Sequence, residues 1–148
     1  MKIHLLSTIN EHYTSPFRVT VQSMLDQVPD QQEIHWHILH PGMPGDSMGA
    51  IEALSQDGRI VFKWYEISED SLAAFPVRGH FVPHVYAHIL APEILPAAVE
   101  RFLYLDADLL VLDDVSALWE TPLKGNILAA VPDMAVPVVS APMGLKRH

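Results

Sequence analysis

Two carboxylates one residue apart, Asp106 and Asp108, follow an apolar run in Tyr104-Leu105-Asp106-Ala107-Asp108-Leu109-Leu110-Val111. In extended backbone, residues i and i+2 face the same side, so both carboxylates can converge on one point. Two carboxylates in apolar surroundings repel unless a cation or a proton lies between them. A hard divalent ion, Mn2+ or Mg2+, meets that need and keeps positions open for a ligand's phosphate oxygens. The plainer reading is a pair of solvated loop residues, with Asp113 and Asp114 as more of the same.

Nine histidines invite a second metal reading, with zinc. His84 and His88 stand at i and i+4, a spacing that clasps zinc on a helix. The metalloprotease pattern needs Glu directly after the first His, and Val85 occupies that place. His35 and His37 alternate with Ile34, Trp36 and Ile38, which puts the pair on one sheet face as packed or solvent-facing residues. The histidines therefore read as structural.

Chemistry at Asp106 needs elements to hold it. Arg101 to Leu105 reads as the strongest buried strand and delivers the acidic pair at its carboxyl end, where open α/β sheets bind ligands. Lys2 to Leu6, Ile34 to Leu39 and Ile60 to Ile67 read as three earlier strands. Ser15-Pro16 predicts a helix start, and Phe17, Val21, Met24, Leu25 and Val28 form its apolar stripe up to Pro29. His40 to Gly49, with two Pro and three Gly, reads as a loop, followed by a short helix around Ile51 and Leu54. Ser68 to Phe81 is irregular, and Pro83 opens a helix over His84 to Leu90, interrupted by Pro92 and Pro96. Leu109 to Leu112 and Ile127 to Val131 read as further short strands, with a helical turn over Val115 to Trp119 between them. Strands alternating with helices imply βαβ units and a mainly parallel sheet. Residues 1–133 form one domain on this reading, and 134–148 an irregular tail.

Composition limits the partners. The 148 residues are 49% hydrophobic and 18% charged, which fits one globular domain. Nine Lys and Arg against 18 Asp and Glu leave a formal charge of −9. That balance argues against nucleic acid and against an anionic membrane surface as partners. The chain has no cysteine, so disulfides, thiolate zinc and a cysteine nucleophile are excluded. The apolar start Met1 to Leu6 is too short for a secretory signal of about 7–15 apolar residues, so the expectation is a cytoplasmic protein.

The stretch from Arg101 to Asp133, RFLYLDADLLVLDDVSALWETPLKGNILAAVPD, resembles the metal-binding core of glycosyltransferase family eight. KIHLLSTINEHYTSPFRVTVQSML resembles the family's first strand, nucleotide loop and first helix; EIHWHIL resembles its second strand; PHVYAHILAPEILP resembles the helix before the acidic motif. The resemblance implies a GT-A-like α/β fold and retaining transfer of a hexose from a UDP-sugar. It implies that Asp106 and Asp108 hold Mn2+ (or Mg2+) and the UDP diphosphate, Asp108 as the firmer ligand and Asp106 also near the ribose. It places Leu6 and Ser7 along the uracil and ribose pocket, Tyr13 over the base, and Asn10 in hydrogen-bond reach of uracil or ribose. It implies a saccharide or lipopolysaccharide-type acceptor.

The chain departs from the family pattern in three places. The nucleotide loop usually carries an Asp, where this chain has Thr8, Ile9 and Asn10. The helix motif usually ends Tyr-Ala-Arg, and here it reads Tyr86-Ala87-His88. His88 takes the donor-binding place of a permanent, bidentate cation with a shorter ring whose reference pKa is about 6.5. The family's His-x-x-Gly-x-x-Lys-Pro segment, which gives a third metal ligand, has no match, and Met143 to His148 does not supply one. Weak or no transfer is expected from this chain alone. Two alternatives stand beside the leading one. A non-catalytic or partner-dependent fragment would self-associate through exposed core. A haloacid-dehalogenase-type phosphatase would use Asp106 as nucleophile, but Leu110 stands where that group expects Thr or Val.

Overall fold

The computed structural model of the chain describes residues 1–55, 57–72 and 83–132. Four parallel strands, β1 (Lys2–Thr8), β2 (Glu33–His40), β3 (Ile60–Glu66) and β4 (Leu103–Tyr104), form one sheet in the order β3-β2-β1-β4. The chain therefore adds β2 and β3 on one side of β1, then returns to place β4 on the other. This reversal makes a topological switch point between the carboxyl ends of β1 and β4, the place where open α/β sheets take ligands.

Period-2 alternation sorts the strands between two faces. Ile3 and Leu5 of β1, with Ile34, Trp36 and Ile38 of β2, point to one side and are fully buried beneath α1 (Thr14–Gln27). Phe17, Val21, Met24 and Leu25 present the apolar stripe of α1 to this layer. Phe17 meets Trp36 edge-on, ring centroids 5.0 Å apart. Leu6 and Leu39 point to the other side, against Ala87, Ala91 and Leu95. Those residues lie in or just after a 3-10 helix (Pro83–Leu90) that runs into α4 (Ala91–Ile94).

Several expectations needed correction. α1 starts before Pro16 and Ser15 does not cap it. A 3-10 turn, Glu11–Tyr13, leads in: Asn10 caps that turn, and the Thr14 hydroxyl donates to the Glu11 carbonyl at 2.7 Å. Pro16 remains within the first turn, where a missing N–H costs no helical bond. The expected loop at His40 to Gly49 turns helical at Gly45 (α2, Gly45–Glu52), entered from Pro44 with Asp46 in its first turn. Glu69–Leu72 is a short helix, α3, inside the stretch read as irregular.

Arg101 to Leu105 is an edge and not a buried strand. Only Leu103 and Tyr104 carry strand pairing, to β1, and Tyr104 is 39% exposed because no described strand covers its outer side. Leu109 to Leu112 and Ile127 to Val131 are not strands among the described residues. The first gives its backbone bonds to hydroxyls of α1, and the second lies exposed. The helical turn before it is α5 (Ser116–Trp119). Residues 133–148, including the expected tail, lie outside the described residues.

Candidate functional site

β1 and β4 bring their carboxyl ends together at Ser7. Its hydroxyl donates to the Leu105 carbonyl at 2.7 Å and accepts from the indole N–H of Trp36 at 2.9 Å. The Leu105 N–H donates to the Leu6 carbonyl at 2.9 Å, extending the β1–β4 pairing by one bond. Leu105 is thus tied on both its polar groups, and Asp106 leaves the sheet directly after it. Asp106 and Asp108 are both exposed, while Ala107 between them is buried. The backbone is not extended here as expected: it turns at Ala107-Asp108, and Asp108, Leu109 and Leu110 are exposed in succession.

The remaining candidates surround this exit unevenly. Leu6 and Ser7 are fully buried, and the Ser7 hydroxyl is spent on Leu105 and Trp36. Asn10 accepts from the His12 N–H at 3.0 Å through Oδ1, which leaves its NH2 group to donate. Tyr13 ends the 3-10 turn and is 43% exposed, presenting its ring to solvent. His88 packs on Tyr104, ring centroids 4.7 Å apart, and its Nδ1 is buried without a hydrogen-bond partner.

Two residues at this exit carry signals that the motif reading missed. Thr8, the last residue of β1, holds a buried Oγ1 beside the Tyr104 phenol. Burial first, then the Asp106 carboxylate beside it, push the Tyr104 phenol up to about 12, so it stays protonated as a donor. Tyr104 was detectable: it stands two residues before Asp106 and so shares its side of the strand. Thr8 was detectable only as one of three residues, with Ile9 and Asn10, in the loop where the family usually has an Asp.

The segment carrying His84 and His88 differs from the α-helix assumed for the zinc spacing. Pro83–Leu90 is a 3-10 helix, with three residues per turn, so i and i+4 do not share a face. No group of three His, Asp or Glu among the described residues could hold a metal. His37 is buried as a packed residue and His35 is half-buried, both on the face of β2 that was expected.

A model of the family described as Glycosyl transferase family 8 matches residues 4–146. The chain belongs to that family. It is 29% identical over 134 residues to probable galacturonosyltransferase-like 4 of Arabidopsis thaliana, covering 87% of this chain and 38% of that protein. It is 30% identical over 84 residues to lipopolysaccharide 1,2-glucosyltransferase of Escherichia coli K12, covering 57% of this chain and 25% of that one. Galactosyltransferase LgtC, solved in complex with donor and acceptor sugar analogs, superposes with a TM-score of 0.72 at 25% identity, over 82% of this chain and 43% of its own. The family-eight chain therefore has the GT-A-like fold, and it spans less than half the length of these relatives. No described helix is long and apolar enough to cross a membrane. The phosphatase alternative gains no support from any of these similarities.

Proposed function

We propose that residues 1–133 of this family-eight chain form the donor-binding part of a retaining glycosyltransferase that takes a UDP-hexose through a divalent cation, Mn2+ or Mg2+. The observation that carries this is the exit of Asp106 and Asp108 from the carboxyl end of β4, where the strand order reverses, next to Tyr104, which meets both Thr8 and His88. The donor set suits the cation: two exposed carboxylates offer hard oxygen ligands at one end of a sheet. Asp106 and Asp108 would hold it, with remaining positions left to diphosphate oxygens. When bound, such an ion neutralises charge that grows on the departing UDP.

The chain's own groups supply the rest of donor recognition. The Asn10 NH2 group and the Thr8 hydroxyl face the nucleoside as neutral hydrogen-bonding groups, where the family's Asp would bring a charge. Tyr13 covers the base as a stacking surface. The protonated Tyr104 phenol holds the side of Asp106 turned to the sheet, leaving its other oxygen lone pairs for the ion. His88 Nδ1 takes a hydroxyl or phosphate oxygen of the donor. The acceptor is a saccharide of the lipopolysaccharide type, in keeping with the named activity of the E. coli relative. Transfer is proposed for the full catalytic domain that the longer relatives have.

Thermal unfolding with UDP, with and without Mn2+, tests this on the wild type and on Asp108→Ala. Ligand at about 100 times its Kd adds about 2.7 kcal/mol, a midpoint rise of roughly 5–10 °C at this size. The expected result is a rise that requires Mn2+ and is lost in Asp108→Ala. An equal rise in the variant, or none in the wild type at millimolar ligand, overturns the proposal.

A further inference from the structure

The acidic loop is pinned along its length by two hydroxyls of α1. Thr20, fully buried, places Oγ1 3.0 Å from the Ala107 carbonyl oxygen and 2.8 Å from that of Leu109. One helical turn on, the Ser23 hydroxyl accepts from the Val111 N–H at 2.9 Å and donates to the Thr20 carbonyl at 2.9 Å. With Leu105 held by Ser7, the backbone at 105, 107, 109 and 111 is anchored to the core at every second residue. The residues between, Asp106, Asp108 and Leu110, are all exposed.

A hydroxyl has a single proton to donate. Thr20 therefore shares it among the Ala107 and Leu109 carbonyls, on either side of Asp108, and the more distant Pro16 carbonyl at 3.4 Å; the first two must turn inward to reach it. Turning them inward fixes the 107–108 peptide plane that enters Asp108 and the 109–110 plane beyond it, and so limits the direction in which the Asp108 carboxylate leaves the backbone. Nothing else among the described hydrogen bonds holds Ala107 or Leu109 in that orientation. The surrounding stripe of Phe17, Val21 and Met24 has no polar group to replace it.

We infer that Thr20 is a positioning residue for cation binding: its hydroxyl sets the geometry of the Asp106–Asp108 pair without touching the ion. The inference rests on the cation reading given above. Groups that orient metal ligands typically carry a roughly 10–100-fold effect on metal affinity, and that is the effect expected here.

Mn2+ titration in the presence of UDP, followed by the loss of the free-ion spin-resonance signal, is measured on wild type, Thr20→Val, Thr20→Ser, Ser23→Ala and Asp108→Asn. Amide hydrogen exchange over residues 107–111 is followed on the same proteins without metal. Thr20→Val should weaken Mn2+ by 10-fold or more and speed exchange at Val111, the loop amide held by the neighbouring Ser23, and Thr20→Ser should restore both. A Thr20→Val protein with a lower melting point but unchanged Mn2+ affinity overturns the inference, since a purely structural bond would do only that. Should Thr20→Val fail to fold, Ser23→Ala carries the test: unchanged affinity with faster exchange at Val111 again overturns it. Wild type and Asp108→Asn that both ignore Mn2+ sink the cation reading itself, and the exchange data then report the brace alone.

Discussion

His4 Nδ1 lies 2.9 Å from His37 Nε2 on the face of the sheet opposite α1. The rings stack, with centroids 5.2 Å apart, and the other nitrogen of His37 meets the Tyr65 hydroxyl at 3.0 Å. One nitrogen of the touching pair must be bare to accept, so at least one of the two rings is neutral. His35 packs edge-on against His4, with Lys2 and Glu33 near it, and Lys63 adds positive charge near His37. Burial, then the neighbouring His4, His35 and Lys63, lower the His37 pKa from 6.5 to about 4. His4 is lowered too, first by burial, as is His40 on the opposite face of β2.

Stability is therefore expected to fall on mild acidification. The unfolded chain binds a proton at His37 near pH 6.5 while the folded chain resists until about pH 4. Between those limits the unfolded state holds more protons, so stability is complete above pH 6.5 and drains as pH falls. His37 alone removes about 2 kcal/mol by pH 5, roughly 4–8 °C of melting temperature. Melting curves at pH 7.5 and 5 should show this drop, and His37→Gln should shrink it. A variant with the same pH dependence as the wild type would refute the assignment.

Ser7→Ala should destabilise the fold by about 2–4 kcal/mol, because it strands two buried partners at once. The Leu105 carbonyl loses its donor and the Trp36 indole loses its acceptor. Denaturant unfolding gives the number directly. A cost under about 0.5 kcal/mol, ordinary for a surface change, would mean that the tie between β1 and β4 carries no weight.

The first three strands and the body of α1 could be read from the sequence because each buries a continuous or 3.6-periodic apolar set. The start of α1 could not: Ser15-Pro16 matched a cap, while the chain had used Asn10 and Thr14 to build a 3-10 entry. Ile127 to Val131 has the composition of a strand, but pairing depends on an available edge, which composition does not reveal. At the site, the acidic pair declared itself through spacing. Thr20 and Ser23 did not, because hydroxyls interrupting an apolar stripe look merely tolerated, and their partners lie 87 to 89 residues away along the chain.

His88→Arg is expected to tighten UDP binding in the presence of Mn2+ by about 10-fold, the effect of one charge-assisted hydrogen bond. The position already stacks on Tyr104, a surface that a guanidinium plane also accepts. Titration calorimetry on the two proteins decides it. Equal affinities would mean that His88 does not face the donor.

The apolar segment after α5 should drive self-association. Lys124 and Gly125 both take positive φ, and the Asn126 N–H donates to the Leu123 carbonyl at 2.9 Å, closing a tight reversal. The chain then passes the outer side of β4 with Ile127 at 96% exposure, Leu128 at 67% and Val131 at 87%. Grooves of about 460 and 660 Å3 open beside Ile127 and Leu128, both bordered by Phe102. An apolar strip next to a strand edge that no described strand covers offers hydrophobic area and backbone groups to another chain. Ile127→Lys with Leu128→Lys places two charges in that strip and leaves the described core untouched. Sedimentation equilibrium should show the wild type associating at micromolar concentration and the double variant as a monomer with an unchanged melting temperature. A wild type that stays monomeric at every concentration would show that this strip does not recruit a second copy.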